Sequence, residues 1–355
     1  LPVPIVSQIR KNASKARQTL PVPIVSQIRK HMVHFKTNTH AFAFPDFAFD
    51  GGTANMLLDG FLPQNTSLVG TAEVRTPHWY YINMDTHRKK GKRLEVLLLK
   101  GGVRPIDITR ISAVTPKHIL NGAWTVPGVG REVERAVTLS HLRAIKRAWE
   151  DNQLRAKHGL PMVSAMIVED DISMELVALW KNANPSRRNI TLHDVLQALE
   201  VGHVGWELVQ LATMCFTKGA CETYIGEMGT ALKKSIIVLP RESRGRHAYL
   251  WSAVAYAVSP KGQRMILDRL WPGGSEGKAF NALPKGTKFR MDELDTRSIV
   301  ADSVLFQATR KNATFFSARP LFCSRTEHSH LHENHLMPQE RSKYLMESVL
   351  YLGSI

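Results

Sequence analysis

The sequence predicts a mainly α protein, with a body of helical hairpins between an extended, loop-rich N-terminal segment and a tail. Three observations predict it. From about residue 138, apolar residues recur every three or four positions, the period of one helix face. Around residues 190–214, two such runs meet at a tight glycine turn, the pattern of an αα-hairpin. Before residue 137, prolines and glycines interrupt the chain too often for long regular elements.

The chain accordingly divides into four parts: a basic leader or arm (1–30), an irregular region with short strands (31–136), a helical-hairpin domain (137–272), and a linker, helix and His-rich tail (273–355). The leader repeats itself, since LPVPIVSQIRK at 1–11 returns at 20–30. Each copy is too short to be a supersecondary unit, so the repeat reads as a local duplication. Residues 1–45 hold seven Lys/Arg and no acid, and the first acidic residue is Asp46. Ile5, Val6, Ile9, Ala13 and Ala16 recur at roughly helical spacing among those cations. An acid-free, Arg- and Ser-containing leader of this kind has the profile of a mitochondrial presequence, and the predicted location is the mitochondrial matrix.

Further on, Phe42, Phe44, Phe47 and Phe49 alternate around Pro45, which suits an extended segment anchored by aromatics. Arg88, Lys89, Lys90, Lys92 and Arg93 precede the apolar run Leu94–Leu99, read as a basic loop entering a buried strand. Leu139, Leu142, Ile145 and Trp149 then share one face of a helix that Gly159 and Pro161 end. A second helix is expected from about Ile172 to Asn182, with Glu169-Asp170-Asp171 at its start complementing the helix dipole. Thr191 and Asp194 form a capping-box-like start to a helix that closes at Gly202, and a partner helix is expected over 204–216. Thr223–Ser235 is expected to be helical, with Cys215 and Cys221 as small buried residues nearby. HAYLWSAVAYAV followed by Ser259-Pro260 as N-cap and first helical residue makes a second hairpin. Further helices are expected over 292–310 and 340–351.

Composition excludes several classes. Hydrophobic residues are 43% of 355, too many for a disordered chain. Three cysteines do not make a disulfide framework. The longest apolar run, Ala248–Val258, is 11 residues, half of what a membrane span requires. A formal net charge of +16 asks for an acidic partner.

Residues 190–214, ITLHDVLQALEVGHVGWELVQLATM, resemble a pentatricopeptide-type repeat, and 249–270 resemble a second, poorer copy. The resemblance implies an α-solenoid-like superhelix of the kind that binds RNA or serves as a scaffold in organelles. The spacing between the copies is irregular, so no base-reading positions carry over.

No catalytic signature is present. G-x-x-x-x-G-K-S/T, H-E-x-x-H and G-x-S-x-G do not occur, and Pro127-Gly-Val-Gly130 lacks the third glycine of a dinucleotide loop. Cys323, His328, His330, His332 and His335 are metal-ligand types, but their spacing matches no zinc-finger pattern. They read as a solvated loop, and no metal, cofactor or small-molecule substrate is predicted. The expected function is therefore non-catalytic: a structural protein of the mitochondrial ribosome that touches rRNA and neighbouring proteins. Its phosphate contacts would be Arg10, Lys11, Arg29, Lys30, Arg88, Lys89, Lys90, Lys92, Arg93, Arg187 and Arg188. An accessory subunit of a respiratory or ATP synthase complex and an organellar RNA-processing factor are the alternatives.

Overall fold

The computed structural model describes residues 75–120, 132–173, 190–212, 214–215, 223–224, 226–229, 231, 236–241, 250–271 and 300–324. The first element is β1 (His78–Asn83), whose sequence HWYYIN buries residues on both faces. Trp79 and Tyr81 point into one core, Tyr80 and Ile82 into the other. That is the signature of a central strand covered on both sides. Helix α1 (Arg88–Lys100) follows and buries Gly91, Leu94 and Leu98. β2 (Ile108–Ser112) returns parallel to β1. The short α2 (Pro116–Leu120) and the long α3 (Glu132–Lys157) lead to β3 (Ala165–Glu169), which pairs parallel with the other side of β1.

The rest of the chain extends this sheet. β4 (Ile172–Ser173) pairs antiparallel with β11 (Cys323–Ser324), and β6 (Met214–Cys215) with β8 (Leu250–Trp251), as two small ribbons. Helix α4 (Leu192–Gly202) precedes β5 (Leu208–Gln210). β7 (Val238–Pro240) lies at the far end of the sheet, and β9 (Ala255–Val258) feeds α5 (Pro260–Leu270). Finally α6 (Ala301–Ala308) leads to β10 (Thr314–Ser317). The seven-stranded sheet has the order β2-β1-β3-β9-β5-β10-β7. β9 is antiparallel to both its neighbours, β3 and β5. β10 runs parallel to β5 and antiparallel to β7.

Two apolar layers sandwich the sheet. On one face, Leu139, Leu142 and Ile145 of α3, Ile266 and Leu270 of α5, and Val304 and Leu305 of α6 cover Tyr80, Ile167 and Tyr256. On the other, Leu94 and Leu98 of α1 and Val195 and Leu199 of α4 cover Trp79, Met166 and Val209. Each fully buried Leu, Ile or Val contributes roughly 1.5–3 kcal/mol, so both layers favour the sheet.

This α/β architecture overturns the expected mainly α, helical-hairpin fold. One predicted helix of each hairpin contains strands: β5 lies within 204–216, the second helix of the first hairpin, and β8 and β9 lie within 249–258, the first helix of the second. Runs of three or four apolar residues fit either period, and strand neighbours decide the matter. The basic segment 88–93 is likewise not a loop before a strand; it is the first half of α1, with Gly91, Leu94 and Leu98 at helical spacing. Ile172–Ser173 is a strand, and Asp170-Asp171 is a turn between two strands, so the acidic trio does not open a helix there. Cys215 lies in a strand.

Other elements match. α3 spans the predicted face, and α4 carries the full capping box, with Thr191 Oγ1 accepting from the Asp194 amide at 3.1 Å and Asp194 accepting from the Thr191 amide at 2.8 Å. Ser259 caps α5 with Pro260 in its first turn. The described residues of 223–231 are helical, and α6 lies inside the predicted 292–310. The leader, the aromatic segment, Pro127–Gly130, Cys221, the histidines from His328 to His335 and the 340–351 helix lie outside the described residues.

Candidate functional site at the carboxyl edge of the sheet

β1, β2 and β3 run parallel, so their carboxyl ends share one edge. β2 flanks β1 on one side and β3 on the other, while α1 and α3 cover opposite faces. The strand order therefore reverses between β1 and β3; β1 leads on into α1, and β3 into the turn Asp170-Asp171 before β4. In open α/β sheets such a topological switch point is where ligands bind.

A continuous hydrogen-bonded chain crosses this point. Asn83, the last residue of β1, is 1% exposed. Its Nδ2 donates to Asp170 Oδ2 at 2.6 Å and to the His87 carbonyl at 3.0 Å. Its Oδ1 accepts from Arg110 Nε at 3.0 Å. Arg110 also donates to Asp85 at 2.6 Å, and Ser112 donates to the other Asp85 oxygen at 2.7 Å. The ends of β2, β1 and β3 are thereby tied together through side chains. Gly91 lets α1 approach: a Cβ there would lie 3.0 Å from Asn83 Oδ1.

The carboxylates differ in state. Hydrogen bonds from Arg110 and Ser112 hold the Asp85 carboxyl below its ordinary range. Burial pushes Asp170 up, against the Asn83 hydrogen bond and the positive charge of Lys90. Asp171 is buried beside it. Among the described residues, no group of three or more His, Cys, Asp and Glu side chains is arranged to hold a metal alone.

On the α3 face of this edge lies a second polar group. His141 is fully buried; its Nδ1 lies 3.1 Å from the Tyr256 hydroxyl and its Nε2 3.1 Å from Glu169 Oε1. Burial pushes the Tyr256 hydroxyl well up. Nearby, burial raises the Asp302 carboxyl to about 6, opposed by Arg241, whose guanidinium burial lowers to about 10 and leaves charged at neutral pH. Arg241 stacks 3.7 Å over the Phe306 ring and donates to Gln210 at the end of β5. The backbone entering β9 at this edge is strained: Ser252 has φ of 148°, a region that favours glycine.

Of the predicted phosphate contacts, Arg88, Lys89, Lys90, Lys92 and Arg93 all fall on α1. Lys90 acts on Asp170 and Arg88 on Asp85, each by its positive charge. Arg10, Lys11, Arg29, Lys30, Arg187 and Arg188 lie outside the described residues. Cys323 lies in β11, far in sequence from Asn83 and Asp170, with its proposed histidine partners outside the described residues. Sequence reasoning missed Asn83, Arg110, His141, Tyr256 and Asp302. One signal was available: His141 interrupts the apolar face of α3 between Leu139 and Leu142, and Asp302 stands beside Val304 and Leu305. Compared with known proteins, the chain matches no family model, and no curated protein sequence matches it.

Proposed function

We propose that this protein is a nucleotide-dependent enzyme of the group-transfer class, with its site at the carboxyl edge between β1 and β3. The supporting observation is the Asn83–Asp170 hydrogen bond across the switch point, which fixes a carboxylate where the phosphates of a mononucleotide would lie. Asp170, with Asp171, would hold a divalent cation at this edge. Such an ion would supply positive charge next to bound phosphate. Asn83 orients Asp170, Arg110 orients Asn83, and Lys90 adds positive charge on the α1 side. The expected outcome is that the full chain binds a nucleoside diphosphate in a Mg²⁺- or Mn²⁺-dependent way by calorimetry, and that Asp170→Asn weakens this at least tenfold. Nucleotide binding that ignores the cation, or none at all, sinks the proposal.

A second reading rests on a separate observation. Arg88, Lys89, Lys92 and Arg93 are all exposed on α1, a row of cations suited to phosphate backbones. This favours the structural subunit of the mitochondrial ribosome, touching rRNA and neighbouring proteins. Co-sedimentation with a ribosomal subunit that is lost on RNase treatment supports it. Migration with a membrane complex, indifferent to RNase, favours a respiratory or ATP synthase accessory subunit instead. No helix of the described residues is long and apolar enough to cross a membrane.

A further inference from the structure

The opposite edge of the sheet carries a different arrangement. β5 and β10 begin there, β9 ends there, and α5 starts there. A cavity of about 280 Å³ opens between them, lined by His203, Gly205, Trp206, Lys261, Arg310 and Asn312 among others. Among the described residues, no acid lines it.

The charges around it are not equivalent. Glu207 is fully buried behind the wall and accepts from the Arg310 amide at 2.7 Å and from its guanidinium. Arg310 Nη2 also reaches the Gly205 carbonyl at 3.2 Å. That arginine is neutralised and held in place. Lys261 is exposed and makes no hydrogen bond or ion pair among the described residues. Its Nζ lies only 3.0 Å from the position a Cβ on residue 205 would take, and Gly205 has φ of +78°. Glycine at 205 therefore supplies both the left-handed turn and the room for the ammonium group. His203 and the Asn312 amide add further polar groups to the lining.

We propose that this cavity is a second binding site, for a small phosphate-bearing anion, separate from the nucleotide site at the carboxyl edge. Lys261 supplies the charge, Arg310 the fixed wall, and a volume of about 280 Å³ suits inorganic phosphate or a small phosphate monoester. The proposal does not depend on the function proposed above.

The test is titration of the full chain with inorganic phosphate at low ionic strength, followed by calorimetry. Saturable binding is expected for the unmodified protein, at least tenfold weaker for Lys261→Gln, largely restored in Lys261→Arg, and unchanged in Asp170→Asn. The proposal is overturned if no saturable binding occurs, if Lys261→Gln binds as well as the parent, or if Asp170→Asn loses binding equally. Lys261-dependent binding of a single-stranded RNA oligomer without any phosphate binding also overturns it, and assigns the surface to nucleic acid.

Discussion

The two edges of the sheet handle charge in opposite ways. At the carboxyl edge, opposite charges are chained together: Ser112, Asp85, Arg110, Asn83 and Asp170 form one linked series across three strand ends. At the amino edge, one buried acid, Glu207, fixes one arginine, and Lys261 faces a cavity. A linked series holds a carboxylate rigidly and suits orientation of a cation. A fixed wall with one exposed ammonium suits capture of a small anion. The difference follows from topology, because parallel strands collect side chains from distant segments at one end, whereas the amino edge is built from turns into β5, β10 and α5.

The largest effect is expected at the amino edge. A Cβ on Gly262 would sit 2.0 Å from the Glu207 carbonyl oxygen, where backbone meets backbone. Gly262→Ala should destabilise the protein by about 3 kcal/mol or more in denaturant unfolding. A loss under about 1 kcal/mol would mean that α5 does not rest on residues 205–207.

At the carboxyl edge, Asn83→Ala should weaken cation-dependent nucleotide binding by about 10- to 100-fold, because the amide orients Asp170 without touching the ligand. Asn83→Ser, which keeps a donor, should recover part of it. Equal losses in both variants would mean that Asn83 serves only to fill the end of β1. Arg110→Lys should cost less, roughly tenfold or below, since lysine keeps the charge but not the shared contact to Asn83 and Asp85. An Arg110→Lys loss larger than that of Asn83→Ala would reverse the proposed order of support.

The smallest effect is a pH dependence. Asp302 has its carboxyl raised from 3.8 to about 6 by burial. Between those values the folded protein keeps a proton that the unfolded chain has lost, so this group lowers stability as pH rises from 4 to 6. Asp302→Asn removes the titration. Its melting temperature, relative to the parent, should therefore rise by about 2–4 °C between pH 4 and pH 7. A flat difference would show that Asp302 titrates like an exposed acid.

Local signals identified the helices that carry their own punctuation. α3 is visible from Leu139, Leu142 and Ile145, α4 from the Thr191–Asp194 box, and α5 from Ser259-Pro260. α1 was missed because its first turns are six residues of Arg, Lys and Gly, whose buried partner at Gly91 carries no apolar signal. β5 and β9 were missed because three or four apolar residues do not establish a period.

The site was harder still to read. His141 stood out only as a polar residue on an apolar face, and Asn83 only as the polar end of an aromatic run. Asn83 lies 27 residues from Arg110 and 87 from Asp170, distances that no motif spans.

Sequence alone determined the charge balance, the three capped or strongly periodic helices, and the absence of a known catalytic motif. Those properties are local, set by side-chain period and by groups a few residues apart. Only the tertiary structure decided that the short apolar runs are strands, that the sheet is mixed, and that an asparagine and an aspartate at the ends of different strands meet at one edge. Strand identity and site geometry depend on hydrogen-bonded neighbours far along the chain, and those neighbours exist only once the sheet has formed.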